Sequence, residues 1–199
     1  QAPFLALANI VNSTLVVLVI AAEAPLLLRA GWWLVVFLVA LYPMKNWLRS
    51  RRAPPSRPIS ARGINRSIVV AGVSGLIWAS AAPLFAPLLN DRDELLLMII
   101  LSGMAAGGTV ALSSVPKASL VYVTSIAAIV LAYMFSQGTV LHASLGGMLL
   151  LFFTTTLFAS NSIYLSAAEA LRRRAVDVEQ RAEMQERLAS SHAGSLVRL

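Results

Sequence analysis

Ser74 and His142 are the residue types that form nucleophile and base pairs in hydrolases. Ser74 lies in the motif Gly72-Val73-Ser74-Gly75, the G-x-S-G form found around the nucleophile of some intramembrane serine proteases. A serine nucleophile needs its base within hydrogen-bond distance. The apolar runs predict Ser74 about 10 Å from one membrane face and His142 at the opposite face, about 20 Å away at 1.5 Å per helical residue. Because of this separation, Ser74 and His142 are not predicted to form a protease site.

Acidic residues and one histidine could form a cation site at the membrane surface. Asp91, Asp93 and Glu94 precede one apolar run, and His142 begins another. Carboxylate oxygens and imidazole nitrogen bind cations in many proteins, but a solvated loop accounts for the same residues. No metal site is therefore assigned, and both interpretations remain open. The apolar runs carry almost no charge, which weakens an ion-path interpretation.

Polar side chains also occur inside the apolar runs. Asn12, Trp78 and Thr155 are the candidate contacts to a small ligand, because amides, indoles and hydroxyls orient ligands in apolar pockets. The alternative is that hydroxyls and amides bond to carbonyls of their own helix or to a neighbouring helix.

The composition shows what kind of structure must position these groups. Hydrophobic residues make up 58% of the 199-residue chain, charged residues 13%, and the mean hydropathy is +0.75. A soluble domain has about a quarter charged residues, so the chain is an integral membrane protein that contacts the lipid bilayer. The net charge of +7 comes from clusters beside apolar runs, which excludes a nucleic-acid surface.

Six apolar runs are each long enough for a membrane-spanning helix, which takes about 20 residues. The predicted fold is all-α, an integral membrane bundle of six transmembrane helices whose last helix continues into a cytoplasmic signalling helix or coiled coil. Neither Pro nor Gly interrupts residues 148–193. The predicted runs are 1–22, 28–48, 68–89, 95–112, 119–135 and 142–166.

Basic residues predict the orientation. All Lys and Arg residues except Arg29 and Arg92 lie on one side of the predicted membrane. Because Lys and Arg are enriched in cytoplasmic loops, both termini are predicted in the cytoplasm.

Small residues in the fourth run predict close helix packing. Gly103, Gly107 and Gly108 remove side-chain bulk, so another backbone can approach. The partner is either a helix of the same bundle or a second protomer.

The polar end of the last helix carries a weak heptad pattern. Leu171, Ala175, Val178 and Ala182 follow a four-three-four spacing. This spacing predicts a homodimer through a short parallel coiled coil. The predicted organisation is a sensor domain over residues 1–166, a signalling helix over 167–190, and the start of a linker over 191–199.

The layout resembles the membrane sensor region of bacterial cyclic-di-GMP signalling proteins and related sensor kinases. The resemblance is carried by the stretches SGLIWAS and PLF, the glycine-rich LSGMAAGGTVALSSVP, and the Ala/Glu/Arg-rich end of the last helix. It implies an input module whose output domain, a diguanylate cyclase, phosphodiesterase or kinase, lies beyond Leu199. The catalytic domains that carry the GGDEF or EAL motif would lie in that output domain, and the tripeptide Glu169-Ala170-Leu171 belongs to the predicted signalling helix. This chain is therefore expected to have neither catalytic activity nor a cofactor. The resemblance also implies a location in the bacterial inner membrane. The alternative is a subunit of a small-molecule or ion transporter.

Overall fold

The computed structural model describes the backbone of residues 2–51, 61–113 and 115–196, and all regular structure in these ranges is helical. The predicted all-α class is confirmed. The helices are α1 Ala2–Val19, α2 Leu26–Arg51, α3 Ala61–Ala79, α4 Ala81–Phe85, α5 Asp91–Ala111, α6 Pro116–Ser136 and α7 Val140–Leu196, with a 3₁₀ turn at Ala86–Leu88. Side chains are not described at residues 2–5, 46, 47, 49–51, 61, 167, 171, 174, 175, 178, 179, 181–183 and 185–196.

Apolar helices of membrane-spanning length make up most of the described chain. Five stretches satisfy the length and composition needed to cross a bilayer. They are Leu26–Lys45, Arg62–Leu88, Asp91–Ala111, Pro116–Ser136 and Val140–Ala170. α1 is the sixth long helix, and its described side chains contribute a shorter apolar stretch, Ala6–Val19. The chain is therefore a helical membrane protein, as its composition predicts.

The third predicted helix differs most from the observed structure. It begins at Ala61, well before Ile68, and it ends at Ala79 instead of Leu89. Pro83 and Pro87 explain the break, because proline has no N–H to donate to the preceding turn. The chain then continues as the short helix α4 and the 3₁₀ turn Ala86–Leu88.

Two connections show how local chemistry ends the helices. The side chain of Asn90 caps α5 by accepting a hydrogen bond from the Asp93 backbone N–H at 3.1 Å. Between α6 and α7, Gly138 adopts φ of +66°, a left-handed conformation that glycine reaches without a steric penalty. A connection of only Gln137–Thr139 therefore reverses the chain.

The core is centred on the contact between α3 and α6. A Cβ added at Gly75 of α3 would lie 2.7 Å from the backbone carbonyl oxygen of Tyr122 on α6, so the two helices touch through their backbones. Trp78, one turn later on α3, is 1% exposed and meets Trp32 of α2 edge to face, with ring centroids 5.5 Å apart. The Gly72–Gly75 motif is thus part of the helix packing.

α7 is one uninterrupted helix of 57 residues, as the sequence predicts for its membrane and polar halves. Helical hydrogen bonding continues to Leu196, past Ser190 where the linker was expected to begin. The chain divides into two compact units, residues 1–160 and 161–199, compared with the predicted boundary after Ser166. In the second unit, the exposed Arg173 donates to Glu169 at 2.6 Å, a stabilising pair one helical turn apart.

Candidate ligand cavity

A cavity of about 340 Å³ is lined by residues of α1, α2, α3, α5 and α6. It lies at the end of the bundle where α2 ends and α3 begins. Its volume is within the range of small-molecule sites, which start at about 300 Å³. Its polar lining consists of Asn9, Asn12, Tyr42, Arg66, Ser67, Ser74 and Tyr122.

Missing side-chain bulk on α5 leaves this space open. A Cβ added at Gly103 or Gly107 meets no atom within 4 Å, and both residues line the cavity. Gly108 also lines the cavity, but its added Cβ would overlap Cε1 of the Tyr122 ring. Close packing within the chain therefore occurs at Gly108, whereas Gly103 and Gly107 leave open space at the cavity wall.

A basic side chain is held at the cavity by an aromatic ring. The Nε of Arg66 donates to the hydroxyl of Tyr42, and the guanidinium carbon lies 4.8 Å from the centroid of the same ring. The two contacts come from α3 and α2 respectively. Cation–π attraction and the hydrogen bond together orient the guanidinium group.

Two asparagine amides of α1 line the inner part of the cavity. Asn12 donates through Nδ2 to the sulfur of Met104 at 3.0 Å, and thioether sulfur is a weak acceptor. Asn9 accepts a hydrogen bond from the indole Nε1 of Trp78 at 2.7 Å. The buried indole therefore positions the amide of Asn9.

The three predicted ligand contacts do not meet in one place. Asn12 lines the cavity, whereas Trp78 is buried in the core and donates a hydrogen bond to Asn9, which lines the cavity. Thr155 is exposed, and its hydroxyl donates to the carbonyl of Leu151 at 3.0 Å, so it bonds to its own helix. Thr155 therefore follows the alternative interpretation, in which a hydroxyl bonds to a carbonyl of its own helix.

Neither a family model, a curated protein nor a solved structure matches this chain.

The residues considered as a cation cluster have separate hydrogen-bond partners. Oε1 of Glu94 on α5 lies 3.2 Å from Nε2 of His142. The hydroxyl oxygen of Thr139 lies 2.6 Å from Nδ1 of the same ring. Asp93 instead accepts from the amide of Asn90 at 2.9 Å. Among the described residues, no group of three acidic, histidine or cysteine side chains could hold a metal ion.

The surroundings of Ser74 and His142 can also be compared. The polar partners of the His142 ring are Thr139 and Glu94, and Ser74 lines the cavity. The contacts described for Ser74 and for His142 thus involve different residues.

A buried pair of hydroxyls joins α6 to α7. The Oγ atoms of Ser119 and Ser160 are 3.0 Å apart, and the two residues are 0% and 6% exposed. Ser119 lies one turn before Tyr122, which lines the cavity. One face of α6 therefore contacts both the cavity and α7.

The predicted dimer positions Leu171, Ala175, Val178 and Ala182 lie outside the described side chains. Their backbone is helical, as the signalling-helix prediction requires. The described neighbours Val176 and Met184 are 46% and 64% exposed, so apolar groups of this helix are uncovered within the single chain.

Proposed function

We propose that this chain is a sensory input module of a bacterial inner-membrane signalling protein. α7 relays a stimulus to a cytoplasmic output domain that turns over cyclic-di-GMP or acts as a kinase. The observation that carries the proposal is the single helix Val140–Leu196, which combines a membrane-spanning half with a charged half. A continuous helix transmits a displacement along its length, whereas a flexible linker absorbs it.

Contacts within the first unit support a relay from the cavity to α7. Tyr122 forms part of the cavity wall, and the Ser119–Ser160 pair lies one turn away along α6. A bound molecule that displaces the Tyr122 ring would also displace Ser119. Because coupling needs an element with two arrangements, we expect this hydroxyl pair to be formed in one signalling state and broken in the other.

Dimerisation through the polar half of α7 would give the relay an output. The predicted seam of Leu171, Ala175, Val178 and Ala182 is short and rich in alanine, so its pairing is weak. A weak seam suits a switch, because an equilibrium between two registers shifts with a small free-energy change.

Disulfide cross-linking in native membranes tests this proposal. The chain contains no cysteine, so single cysteines at Leu171, Ala175, Val178 and Ala182 report without background. Arg173 and Asp177 serve as off-seam controls. Cross-links confined to the first set support a parallel dimer, and equal cross-linking at all six positions contradicts it.

A second variant tests whether helix continuity matters. Ala170→Pro removes a backbone hydrogen bond and kinks the helix. We expect it to insert normally, to retain cross-linking near Leu171 and to lose any stimulus-dependent change in that cross-linking. An unchanged response from this variant would contradict the relay and would favour the alternative of a transporter subunit, which solute flux into proteoliposomes measures directly.

A further inference from the structure

Arg66 brings a positive charge to the cavity wall. Among the described residues that line it, only Arg66 carries a formal charge. Its Nε is engaged by Tyr42, which leaves the two terminal nitrogens of the guanidinium fork. Within the described part of the chain, no carboxylate lies within 4 Å of Arg66. A guanidinium held by its inner nitrogen presents its outer nitrogens to an anion, and carboxylates match this fork geometry.

Much of the remaining lining of the cavity is apolar. Val70, Met104 and Leu112 line it together with the bare backbone at Gly103 and Gly107. Apolar lining with few polar groups is typical of sites that hold a hydrophobic body by burial and orient it by one polar end. The lining therefore favours an amphipathic ligand whose body lies along α5.

The volume limits the size of this ligand. A cavity of about 150 Å³ accommodates a benzene molecule, with six heavy atoms. The cavity here has about 340 Å³, so it holds on the order of a dozen heavy atoms. A phospholipid with two acyl chains is far larger, whereas a medium-chain or aromatic carboxylic acid fits.

We propose that this cavity binds an amphipathic monocarboxylate of about a dozen heavy atoms. The carboxylate lies at Arg66, and the apolar body lies along the Gly103–Gly107 face of α5. This inference rests on the proposed function and deepens it, since it names the chemical class of the stimulus. A medium-chain acid reaches such a site from either the aqueous phase or the bilayer.

Equilibrium dialysis against the full chain in lipid nanodiscs tests the proposal. The probe is radiolabelled decanoate, and binding to empty nanodiscs is subtracted. Decan-1-ol and decylammonium have the same chain length with a neutral or a positive head. We expect saturable decanoate binding. The alcohol and the ammonium compound should bind at least about tenfold more weakly, because they lose the charge-assisted hydrogen bonds.

Two matched pairs of proteins locate the site. Arg66 is exposed, so Arg66→Gln should leave the core intact and remove the preference for decanoate over decanol. Gly107→Leu should fill the cavity and abolish binding of both probes. Gly147→Leu is its control, because an added Cβ there also meets nothing within 4 Å but the residue does not line the cavity. This control should bind decanoate as the unmodified chain does.

Several results would overturn the ligand assignment. Equal affinity for the three head groups would show that the site does not recognise a carboxylate. Unchanged binding by Gly107→Leu would show that the probe does not bind in the cavity. Cysteine cross-linking of the same preparations at Ala175 separates this proposal from the relay. Saturable, Arg66-dependent binding with unchanged cross-linking supports the site and counts against the relay. Absence of specific binding overturns the site, and the cross-linking of untreated membranes still measures the dimer.

Discussion

Gly75→Ala is expected to destabilise the protein because the α3–α6 contact has no room for a methyl group. The new Cβ would lie 2.7 Å from the Tyr122 carbonyl oxygen and 3.1 Å from the Cβ of Ser125. Ordinary contact begins near 3.4 Å, so the helices must separate locally by about 0.7 Å. The obstacle is backbone, which cannot rotate away as a side chain can. Overpacking of this kind costs about 1–3 kcal/mol.

Gly107→Ala is the matched control for this prediction. Both glycines are helical, so the gain of about 1 kcal/mol in helix propensity from Gly to Ala applies to both variants and cancels in the comparison. An added Cβ at Gly107 meets no atom within 4 Å. The difference in unfolding free energy between the two variants therefore measures the packing term, about 1–3 kcal/mol.

Reversible unfolding in mixed micelles of dodecyl maltoside and sodium dodecyl sulfate, followed by far-UV circular dichroism, measures this difference. Gly103→Ala provides a second control on α5, because its added Cβ is also free of contacts. The expected order of stability is Gly103→Ala and Gly107→Ala above Gly75→Ala. Equal stabilities of all three variants would show that α3 and α6 are not in backbone contact, and the reasoning from this contact would fail.

Two hydrogen-bonded pairs give further predictions in the same unfolding assay. Ser160→Ala should cost about 1–2 kcal/mol, because it leaves the buried hydroxyl of Ser119 without its partner, which lies at 3.0 Å. The double variant with Ser119→Ala should cost less than the sum of the single ones, and strict additivity would contradict the pairing. His142→Phe should cost about 1–3 kcal/mol, because the Glu94 side chain is only 12% exposed. The exposed Arg92→Gln is its control and should be nearly neutral; an equal loss in both would refute a specific pair.

The helices were largely predictable because a membrane span has to be apolar along its whole length. Apolar runs locate the helices of the bundle, and Pro25 and the Gly138 turn lie where the chain reverses. The break after Ala79 was not predicted. Pro83 and Pro87 were visible in the sequence, but hydropathy stays high through them, so the apolar run hides the loss of backbone donors.

The helix faces were less predictable, because each residue advances about 100° around a helix. Gly103 and Gly107 are therefore on nearly the same face, whereas Gly108 is rotated by about 100° from Gly107. All three line the cavity, but an added Cβ meets nothing within 4 Å at the first two and overlaps the Tyr122 ring at the third. On α7, the buried Phe153 and the exposed Thr155 are separated by about 200°, so a residue near the right depth can face away from the bundle.

Arg66 shows why the cavity could not be predicted from the sequence. Its position before an apolar run is sufficient to explain it as an orientation signal. Its orientation at the cavity depends on Tyr42, which lies 24 positions away in the chain. A cavity also depends on where neighbouring helices diverge, and one sequence carries no direct signal for that divergence.

The short turn between α6 and α7 restricts how α7 can move. Only Gln137–Thr139 connect the helices, and His142 in the first turn of α7 is paired with Glu94. Sliding along the axis would stretch this turn and separate the pair, so the His142 end acts as a pivot. Ser160 lies about 27 Å from that pivot, where a tilt of about 2° shifts it by about 1 Å. Such a shift is sufficient to break its 3.0 Å bond to Ser119. A small tilt of residues 142–160 of α7 would thus be enough to lose this contact.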